Sequence, residues 1–239
     1  TATLRRLAVD RDANMIEAAI EGLAPLTGHA DDALYARALA RDDAQAVRAA
    51  AIALKGTTDP AARAAANAAF TRFARRGNAS ERDARVALLE AAGRPVTDDT
   101  PPTRADSLDR DAVALALGAE RQLEVVMAPE HGGGRFVVRL RGDVAPIMAA
   151  RILALAARGH YDGTTWHRVE HDFVIQGGSR GANEYVGDAR YLIDELGTVP
   201  HARGTVGMST RGHDTGDAQW FINLRDNPRL ARDYTVFAE

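Results

Sequence analysis

The spacing of hydrophobic residues changes near residue 120. Before that point apolar residues recur every three or four positions, as in Met15, Ala19, Ile20 and Leu23. This period is typical of amphipathic helices. From Arg121 onward, short apolar runs alternate with polar residues or are bounded by glycine, which is typical of strands. The pattern predicts a multidomain chain, in which an all-α region is followed by a mainly-β domain.

Glycine, proline and polar residues interrupt the helical pattern at several places. The breaks lie at Pro25–His29, Arg41–Ala44, Gly56–Pro60, Gly77–Ser80 and Gly93–Pro95. Asp59 is a typical N-cap, and Pro60 after it suits the first helical position. The first 98 residues are therefore predicted to form five or six short helices on short turns.

A polar stretch with a double proline, residues 97–110, indicates a domain boundary. We therefore predict a helical domain over residues 1–98 and a linker over 99–119, with a short helix at Asp111–Leu117. A strand-rich domain is predicted over residues 120–239.

The strand-rich domain is predicted to begin with a hairpin, Gln122–Met127 paired with Arg135–Leu140. The glycines 132–134 between these runs could cradle a phosphate, but a strand follows them rather than a helix start, so a hairpin turn is favoured. The apolar pattern of Asp143–Arg158 predicts a helix, which Gly159 would end.

Five further strands are predicted, separated by a long loop at 179–203 that contains a short ordered piece around Leu192. The predicted strands are Thr164–Val169, Phe173–Gln176, Gly204–Thr210, Ala218–Leu224 and Tyr234–Ala238. Many short strands with one helix and long loops favour a barrel or a sandwich.

The segment Thr164–Gly178 carries the strongest chemical signal. Arg168 and Gln176 lie on the two predicted strands, which face each other, with Phe173 beside them. Fixed hydrogen-bond donors next to an apolar wall suit a ligand that is part amide and part hydrocarbon.

Composition removes several classes of function. The 30 basic and 33 acidic residues give a net charge of −3, without the basic excess expected of a nucleic-acid-binding protein. The chain has no cysteine, which excludes disulfides, thiolate metal sites and a cysteine nucleophile. No apolar run approaches the roughly 20 residues that span a bilayer. A chain without cysteine suits cytoplasm and periplasm equally, so the compartment stays open. Because the chain opens on Thr1 rather than methionine, a processed or trimmed N-terminus is expected.

Metal binding and serine hydrolysis are both disfavoured. His167 and His171 are four residues apart, but on a strand this separates them by about 13 Å at roughly 3.3 Å per residue. Ser179 and Ser209 lack the Gly-x-Ser-x-Gly elbow of a nucleophilic serine. Non-covalent chemistry without a metal or cofactor is therefore expected.

Five motifs in the second half of the chain resemble those of one protein family. They are Tyr161–Val169, Phe173–Gly178, Arg203–Ser209, Thr215–Asn223 and Tyr234–Phe237. In order and spacing they are similar to the cyclophilin family of peptidyl-prolyl cis/trans isomerases, from about Leu123 to the chain end. The resemblance implies a cyclophilin-like barrel and an isomerase that acts non-covalently on X–Pro bonds of protein or peptide clients, assisting protein folding.

The resemblance also implies roles for individual residues. Arg168 would be the catalytic arginine, and Gln176 and Gln219 would hydrogen-bond the substrate backbone. Ser209 and Thr210 would line the groove. The remaining residues would form the proline pocket: Phe173, Met208, Phe221, Leu230 and, in place of the family's usual histidine, Tyr234.

Each of these residues also has a purely structural interpretation. Phe173, Phe221, Leu230 and above all Met208 could be core residues, and Gln219 could lie on an edge strand. Arg168 could form a structural ion pair with Glu170 or Asp172.

The chain departs from the family at four places, one of which is a loop at residues 179–202 that is short and dissimilar by comparison with better-known members. Arg229 stands where many members have tryptophan, and Tyr234 favours a bacterial source. At Glu239 the family would continue through another helix and a closing strand, so a C-terminal part is expected to be missing. These departures leave an alternative open: a non-catalytic scaffold that binds proline-containing segments.

One stretch of the helical region, Asp42–Gly56 followed by Asp59-Pro60, resembles a HEAT-type repeat. Such repeats stack their helices and leave a groove for protein partners. An irregular helical bundle with alanine-filled contacts is the alternative.

Overall fold

A computed structural model describes residues 1–96, 110–188 and 190–239. The chain divides into two compact units, residues 1–102 and 103–239. The helical unit contains α1 (Ala2–Leu7), α2 (Ala13–Thr27), α3 (Asp32–Ala38), α4 (Ala44–Ala53), α5 (Pro60–Arg76) and α6 (Arg82–Ala91).

Aspartate caps start three of these helices. Asp12, Asp43 and Asp59 accept hydrogen bonds from the first backbone N–H groups of α2, α4 and α5. The sequence pattern missed the break at Asp12, which separates α1 from α2. It also ended α2 too early at Pro25, because that proline lies in the last turn and removes only one helical hydrogen bond.

The helical unit has an alanine-rich core. Helix α4 packs against α2 and α6, and α5 packs against α3 and α6. Small residues such as Ala46, Ala50, Ala62 and Ala66 are fully enclosed at these contacts, with Phe73 as the largest apolar side chain. This arrangement confirms the predicted all-α region, while the HEAT-type repeat stays a prediction.

The strand unit contains two helices and seven strands in the described residues. Its helices are α7 (Arg110–Gly118) and α8 (Pro146–Ala157). Its strands are β1 (Arg121–Val126), β2 (Arg135–Leu140), β3 (Arg168–Glu170), β4 (Val174–Gly177), β5 (Val206–Met208), β6 (Trp220–Asn223) and β7 (Val236–Ala238). The predicted linker 99–119 lies partly outside the described residues, and α7 forms its second half.

All seven strands belong to one sheet, in the order β1-β2-β7-β5-β6-β4-β3, and every pairing is antiparallel. This confirms a mainly-β domain of the expected class. Strand β3 is shorter than predicted, because Thr164 instead closes a turn: its backbone N–H and hydroxyl both bond the Tyr161 carbonyl.

Helix α8 and an aromatic chain build the main core of the strand unit. Met148, Ile152 and Leu155 of α8 pack with sheet residues in this core. The Trp220 ring meets the rings of Trp166 and Tyr161 edge to face, with centroids 5.1 and 6.2 Å apart. Across the described ranges, no helix combines the length and the apolar character that crossing a membrane requires.

Candidate active site

The sheet register brings the predicted site residues into one row. Arg168 on β3 is paired with Gln176 on β4, and Gln176 with Phe221 on β6. Phe221 is in turn paired with Gly207 on β5. A Cβ atom at Gly207 would collide with the Phe221 ring, so glycine is required there for the ring to lie against the strand.

A chain of hydrogen bonds holds Arg168 in place. The Arg168 guanidinium donates to Gln176 Oε1 at 3.3 Å. Gln176 Nε2 donates to Ser209 Oγ at 2.9 Å and to Gln219 Oε1 at 3.0 Å. Gln176 and Gln219 are only 3% and 4% exposed, so this network is enclosed and holds Arg168 in a defined orientation.

Gln219 also holds the loop that contains Asn183 and Val186. Its Nε2 donates to the carbonyls of Asn183 at 3.1 Å and Val186 at 3.0 Å. Arg211 donates to the carbonyls of Glu184 and Tyr185. These contacts of Gln219 and Arg211 could not be predicted from the sequence. Every residue has a backbone carbonyl, so the residue types do not show which carbonyls accept these bonds.

The Arg168 charge has two acidic neighbours. Its guanidinium lies 3.1 Å from Glu184 Oε1 and 3.5 Å from Glu170 Oε1. The structural ion pair with Glu170 is therefore real, and it coexists with the contact to Gln176. Asp172 instead lies beside His171, at 3.3 Å.

An apolar cluster lies beside this arginine. Phe221 and Leu230 are buried in it, and Phe173 and Tyr234 are half-buried against them. The Phe221 and Tyr234 rings meet edge to face with centroids 5.7 Å apart. The Arg168 guanidinium carbon lies 5.9 Å from the Phe173 ring centroid. Four of the residues expected in the proline pocket are thus brought together.

Met208 and Thr210 stand apart from this cluster. Met208 belongs to the main core and has no exposed surface, so the core interpretation accounts for it. Thr210 is half-buried and lies beside Met208 against Gly216. Neither is part of the apolar cluster that Phe221 and Leu230 form.

His201 supports the pocket from behind, a role that the sequence did not reveal. Its ring stacks on Phe221 with centroids 5.8 Å apart and an angle of 19° between the ring planes. Nδ1 lies 3.2 Å from Asn223 Nδ2, and Nε2 lies 3.0 Å from the Tyr234 carbonyl oxygen. Burial lowers the pKa of the His201 imidazole. The neutral ring therefore accepts from Asn223 through Nδ1 and donates to Tyr234 through Nε2.

The site thus offers a fixed cation at the edge of an apolar pocket. Among the described residues, no three His, Asp or Glu side chains form a group that could hold a metal ion. Burial also lowers the pKa of His167, the neighbour of Arg168. The arrangement can orient an amide and stabilise a lone pair on it, which is non-covalent chemistry.

The strand unit is similar to proteins of one family. Residues 125–239 match the family model described as cyclophilin type peptidyl-prolyl cis-trans isomerase/CLD. A crystal structure of a cyclophilin type peptidyl-prolyl cis-trans isomerase from Cryptosporidium parvum aligns with a TM-score of 0.47 and 26% identity. That alignment covers 51% of this chain and 77% of the other.

Curated relatives carry the same name. The peptidyl-prolyl cis-trans isomerase ppi1 of Schizosaccharomyces pombe is 35% identical over 111 residues, covering 44% of this chain and 70% of the relative. The peptidyl-prolyl cis-trans isomerase-like 1 of Neurospora crassa is 34% identical over 118 residues, covering 46% and 71%. The Helicobacter pylori peptidyl-prolyl cis-trans isomerase is 33% identical over 108 residues, covering 44% and 66%. The chain therefore belongs to the cyclophilin-type peptidyl-prolyl cis-trans isomerases.

Proposed function

We propose that the X–Pro bond turns in the groove between Arg168 and the cluster formed by Phe173, Phe221, Leu230 and Tyr234. The observation that carries this proposal is the position of the Arg168 guanidinium, which lies 5.9 Å from the Phe173 ring and is held by Gln176. A pyrrolidine ring seated on the aromatic wall would bring its nitrogen within reach of that cation.

Electrostatics explain why an arginine suits this reaction. Rotation about a peptide bond meets a barrier of ~18–20 kcal/mol, because the nitrogen lone pair is delocalised into the carbonyl. In the twisted transition state the lone pair is localised on nitrogen. A guanidinium that donates to this nitrogen stabilises the transition state more than either ground state, which is the requirement for catalysis.

The apolar cluster would hold one side of the bond still. Phe221 and Leu230 are buried and Phe173 and Tyr234 half-buried, so they form a shallow wall of limited mobility. The proline ring can pack against this wall while the preceding carbonyl rotates in solvent. No proton transfer or covalent intermediate is required.

Gln176 and Gln219 already use their amide groups within the protein. Both Nε2 hydrogens of Gln176 have acceptors, and Gln219 donates to two loop carbonyls. We propose that Gln176 mainly orients Arg168. To bind the substrate backbone as well, either glutamine would exchange one of these internal bonds, and Ser209 and Thr210 would line the groove beyond them.

The replacement Arg168→Ala tests this site. We expect the isomerisation rate to fall about 10²–10³-fold, the usual cost of removing one preorganised donor to a developing charge. Exchange NMR of a short proline peptide would measure cis/trans rates directly, without a helper protease. Arg168→Lys keeps the charge but loses the planar fork, so it should restore activity only in part.

A control is Arg225→Ala, since Arg225 is an exposed arginine of the same unit. We expect its rate to equal that of the wild type. Circular dichroism and thermal melting should be unchanged in all three variants. Near wild-type turnover by Arg168→Ala would show that the bond turns elsewhere.

For the helical unit, we propose recruitment of protein clients or partners, so that the chain assists folding. Support comes from the repeat-like sequence and from the exposed apolar side chains Met15 and Ile52, which are 42% and 47% exposed. The double variant Met15→Lys/Ile52→Lys should slow the proline-limited refolding of a client protein that the wild type accelerates. Its turnover of a short peptide should stay unchanged. Equal refolding rates would contradict recruitment through these side chains.

A further inference from the structure

Two arginines lie against the ring of Phe173, and their surroundings differ. The guanidinium carbon of Arg229 is 4.2 Å from the ring centroid, closer than that of Arg168 at 5.9 Å. Arg168 has carboxylates of Glu184 and Glu170 beside it. In the part of the chain that the structure describes, no carboxylate lies within 4.0 Å of the Arg229 guanidinium. Arg229 is thus a cation without a carboxylate at the pocket rim.

The backbone that carries Arg229 is tightly fixed. Arg229 lies in a 3-10 turn, Pro228–Leu230, directly before the buried pocket residue Leu230. Asn227, which precedes this turn, donates through Nδ2 to the Phe173 carbonyl at 3.1 Å, and its backbone N–H donates to the His201 carbonyl at 2.7 Å. The turn and the Phe173 wall are therefore linked, and the stack on the aromatic ring limits the motion of the guanidinium.

We infer that Arg229 selects substrates with an acidic residue next to the proline, by pairing with its carboxylate. A proline seated against Phe173 and Leu230 would carry its neighbours past the Phe173 ring, over which this exposed cation lies. A planar guanidinium can bind a carboxylate through two parallel hydrogen bonds. The inference rests on the proposed pocket.

The expected size of the preference follows from the exposure of the site. Solvent-exposed ion pairs are worth about 0.2–1 kcal/mol, which corresponds to roughly a 1.4- to 5-fold change in kcat/KM. Salt should weaken it strongly, since the screening length falls from about 10 Å at 0.1 M to about 3 Å at 1 M.

Six short peptides would test the inference, with Glu, Gln or Lys placed either directly before or directly after the proline. Exchange NMR gives kcat/KM for each peptide, and the Glu/Gln and Lys/Gln ratios are compared within each variant. For the wild type at low salt, we expect a Glu/Gln ratio of about 1.4 to 5 at one of the two positions, falling toward one at 1 M salt.

Replacement of Arg229 should remove the preference for an acidic neighbour, or reverse it when the new side chain is acidic. Arg229→Gln should bring the Glu/Gln ratio to about one, and Arg229→Glu should favour the Lys peptide over the Gln peptide. Arg225→Gln, the exposed control, should keep the wild-type ratios. The inference is overturned if the wild type turns over the Gln peptides but shows no preference for Glu, or if Arg229→Gln keeps that preference. Failure of the pocket itself is detected separately, through retained turnover in Arg168→Ala.

Discussion

Two buried glutamines illustrate how the helical and strand units differ. Gln45 is 3% exposed, and its Nε2 donates to Asn14 Oδ1 at 2.8 Å and Glu17 Oε2 at 2.5 Å, which joins α4 to α2. Gln219 is 4% exposed, but its contacts lead through Gln176 to the partly exposed Arg168. The first network joins two helices of the same unit, whereas the second leads to the groove beside Arg168.

The hydrophobic cores of the two units also differ in the residues that build them. Alanine dominates the buried faces of the helical unit, so its helices can approach closely. The strand unit instead places aromatic rings at the edge of its core, where Phe173 and Tyr234 remain half-exposed. Planar side chains at a surface edge can bind a small ring without first being unpacked.

The largest expected effect on stability lies in the helical unit. Phe73→Ala removes its largest fully enclosed apolar side chain, and we expect a loss of about 3–5 kcal/mol in unfolding free energy. Urea unfolding followed by circular dichroism measures this loss. Peptide turnover at a temperature where the variant is folded should stay at the wild-type value.

A graded control is Phe70→Ala. Phe70 is only partly buried, with the Arg94 guanidinium over its ring at 5.0 Å, so its loss should cost clearly less than that of Phe73. Reduced peptide turnover in folded Phe73→Ala would show that the helical unit contributes to catalysis. The two units would then not differ in this respect.

The two glutamines provide a matched pair. Gln45→Leu and Gln219→Leu should each destabilise the chain by about 1–3 kcal/mol, because each removes the hydrogen bonds of an enclosed amide. Only Gln219→Leu should lower kcat/KM, by about tenfold, since about 1.4 kcal/mol of positioning at Arg168 corresponds to that factor. Thermal melting and exchange NMR separate the two effects, and equal turnover in both variants would contradict a site-specific network.

Much of this organisation could be predicted from the sequence, but not all. The change of hydrophobic period separated a helical region from a strand-rich one, and the motifs placed Arg168 and Gln176 on facing strands, while their pairing in register came from the structure. Met208 could not be assigned, because a buried methionine and a pocket methionine look alike in sequence. Glu184 and His201 were missed since they lie in irregular segments, and only the fold brings them to Arg168 and Phe221.

The pH dependence of stability should reveal the stacked histidine behind the pocket. An unfolded histidine binds its proton near pH 6.5, whereas burial lowers the pKa of His201 in the folded chain. Below pH 6.5 the unfolded state therefore holds more protons, so stability is full above this value and falls as pH drops toward the folded pKa. His167 contributes with the same sign.

Replacing His201 with glutamine should make the loss of stability below pH 6.5 shallower. The loss that remains would come from His167. His171→Gln is the control, since its side chain is 95% exposed, and its profile should match the wild type. Urea midpoints measured between pH 5 and 8 give the slopes. An unchanged slope in His201→Gln would exclude a buried neutral imidazole.

The smallest expected effect concerns the acid opposite Arg168. Glu184→Gln removes the carboxylate 3.1 Å from the guanidinium, which should raise kcat/KM for a neutral peptide about twofold at low salt and less at 1 M. Glu170→Gln, at 3.5 Å, should do less. A fall in turnover would instead mean that Glu184 holds Arg168 in place.

The most direct test of the account is to map where a proline peptide binds on the whole chain. Backbone amide shifts would be followed during titration with a proline peptide, and with the same peptide carrying alanine in place of proline. We predict saturable shift changes at Arg168, Phe173, Gln176 and Phe221 with the proline peptide alone, and none across residues 1–96. Shift changes confined to the helical unit, or equal changes with the alanine peptide, would contradict binding of proline in the groove beside Arg168.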